Sequence, residues 1–165
     1  DEVDGRLFAG EAGMARPATS KGTRPMTDLP LKIGDTASFT RTVREADVVA
    51  FAQVTGDNQP LHLDDAFAAN TRFKKRIAHG MLSAGFISAV LGTKLAPNNV
   101  VVYLSQQMRF RLPVNIGDTI TAEAEVTAID PEKRIVTVRT DCLNQNGEAV
   151  VKGEATVLLD PGVGG

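Results

Sequence analysis

The segment HGMLSAGFISAVLGTKL, residues 79–95, decides the fold of this chain. Its spacing predicts a helix, and its apolar side chains fall on nearly every side of that helix instead of along one stripe. A helix of this kind is either buried all round or spans a membrane. The apolar run at residues 81–95 is too short to span one and is interrupted by polar residues. The sequence therefore predicts one helix buried inside the protein.

Strand patterns surround this helix in the sequence. One candidate precedes it, DTASFTRTV at residues 35–43, and four follow it: VVVYLSQQMRFRL, TITAEAEVTAI, RIVTVRTDCL and AVVKGEATVLL. The second and third of the four alternate apolar with polar residues, as expected of strands with one face in water. The links DPEK and NQNG between the last three suit tight antiparallel hairpins.

Two shorter helices are predicted between the first strand and the buried helix. READVVAFAQVTG, residues 44–56, has a helical apolar face, and Gly56 is a natural C-terminal stop. LDDAFAANT, residues 63–71, predicts a short helix capped by Asp64 or Asp65.

These elements predict an α+β protein with the hot-dog fold, in which a curved antiparallel sheet wraps around one long buried helix. One sheet cannot enclose the helix fully, and the sheet leaves an exposed edge, so we expect a homodimer. Residues 31–160 form the predicted domain. Residues 1–30 are rich in Gly, Pro, Thr, Arg and Ala and are predicted to be a flexible tail or linker, and residues 161–165 a flexible C-terminus.

The composition of the chain excludes several classes of function. A net charge of −2 over 165 residues favours neither nucleic acid nor an anionic membrane as a partner. Cys142 is the single cysteine, so the chain cannot form an internal disulfide and has no pair of cysteines to bind zinc. The N-terminus has no secretory pattern. We therefore expect a cytoplasmic protein without a metal.

The stretch GDNQPLHLDDAF, residues 56–67, contains an acid and a histidine beyond the first helix. We expect both residues to lie on a loop that Pro60 stiffens, and if this loop folds back, Asp57 and His62 can meet in one pocket. A carboxylate and an imidazole held together form a general acid–base pair that can handle a water molecule. The alternative is structural, with Asp57 as a turn or capping residue and His62 as the partner of a backbone carbonyl.

The second histidine, His79, stands with Gly80 directly before the buried helix. The first N–H groups of a helix have no acceptor inside it, and the helix dipole adds positive potential there. The N–H of Gly80 could therefore hold the negative charge that develops on the carbonyl oxygen of a substrate. Alternatively, Gly80 only relieves crowding and His79 is a core or capping residue.

Three further features have weaker signals. Ser88 lies about two turns into the buried helix, where its hydroxyl either bonds a helix carbonyl or orients Asp57. The cationic stretch RFKKR, residues 72–76, is a solvated face or a contact for the phosphates of a large anionic group. Arg109 and Arg111 alternate with Phe110, as on an exposed strand face.

With these residues in place, the sequence resembles the MaoC-like hydratase family, and within it the (R)-specific enoyl-CoA hydratases. The resemblance covers about residues 31–159 and rests on FAQVTGDNQPLHLDDAFA, IAHGMLSAGFISAVLG and RLPVNIGDTITAEAEVT. The family signature is Gly-Asp, one free residue, Asn-Pro, an aliphatic residue and His. This chain departs from it at Gln59, where the family has Asn.

The resemblance implies that Asp57 and His62 are the catalytic pair, that the Gly80 N–H binds the thioester oxygen, and that Ser88 and Gln59 support the site. It implies reversible addition of water to a trans-2-enoyl thioester, giving the (R)-3-hydroxyacyl product. Coenzyme A would enter only as part of the acyl-CoA substrate, with an acyl-carrier protein as the alternative carrier. The rival functions are a hot-dog thioesterase, a 3-hydroxyacyl-carrier-protein dehydratase and a non-catalytic subunit.

Overall fold

A computed structural model of the chain describes residues 29–160. The predictions for residues 1–28 and 161–165 lie outside this range. The strands are β1 (Thr36–Thr42), β2 (Val100–Phe110), β3 (Thr119–Asp130), β4 (Ile135–Leu143) and β5 (Ala149–Asp160). The helices are α1 (Glu45–Thr55), α2 (Pro60–Leu63), α3 (Asp65–Ala69) and α4 (Gly80–Val90), and a π-helical segment, Leu91–Leu95, continues α4.

The five strands form one antiparallel sheet in the order β1-β3-β4-β5-β2. The two predicted hairpins are present, since β3 pairs with β4 and β4 with β5. Strand β2 precedes β3, β4 and β5 in the chain but lies at the edge of the sheet opposite β1, where it pairs with β5. The predicted hot-dog fold is confirmed, with a curved sheet and a helix packed against it.

Helix α4 packs on β1, β3 and β4. Phe86, Ile87 and Val90 are its buried apolar residues, and they face a row on β3 that alternates with polar positions, as predicted. Each fully buried aliphatic side chain contributes roughly 1.5–3 kcal/mol. The remaining core residues from the π-helical segment and the sheet are Leu91, Leu95, Ile120, Ala122, Ala124, Val126, Val136, Val138, Cys142, Val150, Val151, Ala155, Val157 and Leu159.

Helix α4 is not buried on every side in the single chain, which agrees with the expectation that one sheet cannot enclose it. Met81, Gly85 and Ser88 are exposed along one face of the helix. The sheet covers α4 from one side because a curved layer of five strands cannot close around it. Among residues 29–160, no helix has the length and apolar character needed to cross a bilayer.

Candidate active site

The end of α1 sets the position of Asp57. Gly56 adopts a left-handed conformation with φ of 78°, and its N–H donates to the Ala52 carbonyl at 2.9 Å, so the helix stops there as predicted. Asp57 follows immediately on an exposed turn. Its Oδ1 accepts a long hydrogen bond of 3.4 Å from the Gln59 N–H, which makes it a turn residue as well as a candidate acid.

His62 lies in the short helix α2 and not in a loop, which corrects the sequence-based expectation. Pro60 occupies the first helical position, where its missing N–H costs nothing. Asp64 then caps α3, with its carboxylate accepting from the Phe67 N–H at 2.9 Å. One turn of helix thus turns the His62 side chain inward, and the residue is only 7% exposed.

The tautomer of neutral His62 follows from its hydrogen bond. Nδ1 lies 2.7 Å from the carbonyl oxygen of Ile77. Because a carbonyl can only accept, Nδ1 carries the proton. In the neutral ring Nε2 is then a free acceptor, which is the form a general base requires. The structural alternative for His62, a backbone carbonyl partner, is therefore compatible with a catalytic role.

Asp57, His62 and His79 converge. Each offers one ligand atom, and these atoms all lie within 4.8 Å of one another. A single water that bonds two such groups at about 2.8 Å each spans roughly 4.6 Å at a tetrahedral angle. The separation between the carboxylate and the imidazole therefore suits one shared water. Carboxylate and imidazole are also zinc ligands, so the same three residues have the donor types to hold a divalent cation.

Gly80 is the first residue of α4, so its N–H is one of the donors without an acceptor inside the helix. It lies beneath the ring of Phe110. A Cβ at position 80 would lie 2.9 Å from Phe110 Cε1, well inside the normal carbon–carbon contact of about 3.5–4.0 Å. The contact with Phe110 supports the crowding interpretation of Gly80, and the oxyanion role of its N–H stays a prediction.

A cavity of about 420 Å³ joins His62 and Gly80. This volume is in the usual range for a small-molecule site, and most of its wall is apolar. Buried Ser83 also faces it. The apolar wall comes from Phe73, Ile77, Ala78, Met81, Phe110, Leu112, Pro113, Val114, Val150 and Val151.

Two of the cationic residues noted in the sequence, Arg72 and Arg111, line the same cavity. Arg76 does not. Its guanidinium pairs with Glu45 at the start of α1 and with Asp65 at the start of α3, both at 2.8 Å. Hydrogen bonds to Glu45 and then to Asp65 raise the pKa of Arg76 above its ordinary value. Arg76 therefore braces the two helices that flank the Asp57–His62 segment.

The predicted supporting residues lie apart from the cavity lining. Ser88 is exposed on α4, and among the described residues no hydrogen bond joins it to Asp57. Gln59 caps α2 through its backbone, with its carbonyl accepting from the His62 N–H at 3.0 Å. Their roles stay predictions. Sequence reasoning missed Ser83, five residues before Ser88 in the same helix, because both serines interrupt the apolar pattern alike.

The fold and the site together define a hot-dog protein in which one carboxylate and two imidazoles converge near the N-terminus of the central helix. The chain belongs to the MaoC like domain family, whose model matches residues 29–147.

Named relatives are similar over most of their length. The chain is 50% identical over 129 residues to an (R)-specific enoyl-CoA hydratase of Rhodospirillum rubrum, covering 78% of this chain and 88% of that protein. It is 46% identical over 129 residues to a 3-hydroxybutyryl-CoA dehydratase of Methylorubrum extorquens, covering 78% and 81%. The solved (R)-hydratase from Aeromonas caviae involved in PHA biosynthesis superposes with a TM-score of 0.76 at 44% identity, covering 80% and 99%.

Proposed function

We propose that the protein is a hydro-lyase, an (R)-specific enoyl-CoA hydratase that adds water reversibly to a trans-2-enoyl thioester. The observation that carries the proposal is the convergence of the Asp57 carboxylate and the His62 imidazole to within 4.8 Å, with the cavity at His62 also lined by Gly80. The identities of 46–50% to a hydratase and a dehydratase support it, since the two names describe one reaction in opposite directions.

The mechanism follows from the donors and acceptors of the site. Asp57 and His62 hold one water between them, and His62 Nε2 takes a proton as the water oxygen attacks Cβ. The electron pair of the double bond moves toward the thioester carbonyl, where the Gly80 N–H stabilises the oxygen. The protonated imidazole then supplies the proton that Cα requires. Its Nδ1–H remains bonded to Ile77 throughout, which keeps the ring in place.

Neither a metal nor a redox cofactor enters this scheme. The developing charge is met by a backbone N–H, and both proton transfers use His62 while Asp57 holds the water. Coenzyme A is present only as the handle of the substrate. Arg72 and Arg111 line the cavity and are suited to its phosphates, while an acyl-carrier protein is the alternative carrier. The (R) configuration of the product follows the names of the relatives.

We also propose that the protein works as a cytoplasmic homodimer. The edge strand β2, the segment after it and the start of α4 expose a set of large apolar side chains, which a second copy would cover. The set comprises Met81, Val100, Val102, Tyr103, Leu104, Phe110 and Leu112. Light scattering coupled to size exclusion tests this assembly, and cell fractionation tests the location.

Crotonyl-CoA separates the proposal from its rivals. Loss of the enoyl absorbance without free thiol, with (R)-3-hydroxybutyryl-CoA as product by chiral analysis, is the expected result. Release of thiol without hydration would instead establish a thioesterase, and no change in either signal a non-catalytic subunit. Asp57→Asn keeps the size of the side chain but removes its charge, so it should abolish hydration and leave the melting temperature unchanged. Full activity of this variant would refute the role of Asp57.

A further inference from the structure

We propose that His79 is a positioning residue that holds the three parts of the site, Asp57, His62 and Gly80, in one arrangement, with its Nε2–H donor as the contact to Asp57. This inference rests on the proposed function. The sequence indicated only that His79 is a core or capping residue. His79 directly precedes α4, and its side chain makes no capping hydrogen bond.

The first link is a hydrogen bond across 22 residues. His79 Nε2 lies 2.9 Å from the backbone carbonyl oxygen of Asp57, so Nε2 must carry the proton. The other hydrogen bonds found for residues 56–59 reach no further than four residues along the chain. Among the bonds of the described residues, His79 is therefore the long-range anchor of the segment that carries the catalytic carboxylate.

The second link is ring packing. The His79 ring lies 3.9 Å from that of His62 between centroids, with 32° between their planes, and 4.7 Å from the ring of Phe51 on α1. The His62 ring is thus held by its bond to Ile77 and by the face of His79. The third link is covalent, because the peptide group that presents the Gly80 N–H begins at the carbonyl carbon of His79.

The unused nitrogen of His79 shows that packing alone does not explain this residue. Nδ1 is buried without a hydrogen-bond partner among the described residues, and His79 is only 2% exposed. A buried acceptor without a partner is unfavourable, and a phenylalanine would fill the space without it. What phenylalanine would lack is the Nε2–H donor, so the donor to Asp57 is the property that the structure uses.

Two variants separate the donor from the packing. His79→Phe keeps a ring against Phe51 and His62 and removes the donor. His79→Gln keeps an amide N–H near the position of Nε2 and removes the ring. With crotonyl-CoA, we expect His79→Phe to lower kcat roughly 10- to 100-fold with KM changed less than about threefold, since small misplacement of catalytic groups has effects of this size. His79→Gln should recover most of that kcat.

Each outcome decides the question. Wild-type kcat in His79→Phe overturns the proposal. It is also overturned if the two variants lose kcat to the same extent and their melting temperatures fall to the same extent, because that result indicates a structural role. If His79→Phe does not fold, ¹⁵N chemical shifts of the wild-type histidine rings decide instead: protonated Nε2 and bare Nδ1 at His79 support the proposal, and the opposite tautomer refutes it. This readout needs no activity. Failure of the wild-type protein to hydrate crotonyl-CoA would instead refute the proposed function.

Discussion

Replacing Gly80 by proline should remove the oxyanion donor and little else. Gly80 is the first residue of α4, a position that favours proline because its missing N–H has no partner in the helix. The preceding residue, His79, has φ of −59° and ψ of 133°, an extended conformation that a residue before proline favours. Backbone strain should therefore be small.

The ring of Phe110 must be removed first. A Cβ at position 80 would approach its Cε1 and Cδ1 to 2.9 and 3.0 Å, so alanine and proline would both displace the ring. Phe110 is 53% exposed in the single chain but also lines the cavity, so Phe110→Ala serves as the common background and its own kcat and oligomeric state are measured first. The informative comparison is then Phe110→Ala/Gly80→Ala, which keeps the N–H, with Phe110→Ala/Gly80→Pro, which lacks it.

Hydration of crotonyl-CoA measures the difference. Loss of one oxyanion-hole donor lowers kcat about 10²- to 10³-fold, or roughly 2.7–4 kcal/mol of transition-state stabilisation. We expect this loss in the proline variant alone, with far-ultraviolet circular dichroism and melting temperature equal for the two double variants. A proline variant whose kcat is within about threefold of the alanine variant would refute the assignment of the Gly80 N–H.

Three further predictions concern charge, thiol and metal. The Arg44 N–H, which donates to Asp47 at 2.9 Å, and then Arg41 lower the pKa of the Asp47 carboxyl, so the ionised form stabilises the fold. That stabilisation is present above the unfolded pKa of about 3.9 and is lost as pH falls through the lower folded value. The melting temperature of Asp47→Asn should thus be below that of the wild type at pH 7 and approach it near pH 3. The same difference in melting temperature at both pH values would contradict the proposed role of the Asp47 charge. Burial, and then the charge of Asp141, raise the pKa of Cys142 to about 12, so a thiol reagent at pH 8 should find no thiol in the native protein and one per chain after denaturation. Rapid native labelling would show that the site opens. Dialysis against a chelator should leave kcat unchanged, and a loss restored by Zn²⁺ would mean that the histidines hold a catalytic metal.

The fold was predictable because its decisive signals are local. Gly56 ends α1 through a conformation that glycine favours, and Asp64 caps α3 through a bond to a residue three positions away. The alternation along β3 directly reports which side chains the sheet buries. Helix α2 has only four residues, which is too short for any periodicity to show, so the position of His62 in a helix was missed.

The chemistry of the site was predictable only in part. The residue types of Asp57, His62 and Gly80 indicated an acid–base pair and a free N–H before any geometry was known. The contacts of His79 could not be read from the sequence, because its hydrogen bond reaches a backbone carbonyl 22 residues away and carbonyls carry no sequence signal. The apolar pattern of α4 indicated a covered helix, but such a pattern does not say how much of the cover comes from the same chain.

Strand β2 carries Phe110 and leads directly to Arg111, so one wall of the catalytic cavity stands on a strand that is paired along a single side. Its inner contacts are with β5, where Phe110 faces Val151 and the Arg111 N–H donates to Val150. A partner that pairs with the outer edge of β2 would contact the strand that carries this wall, whereas Asp57 and His62 lie in the segment between α1 and α3. One wall of the cavity and the Asp57–His62 segment thus belong to separate elements of the fold.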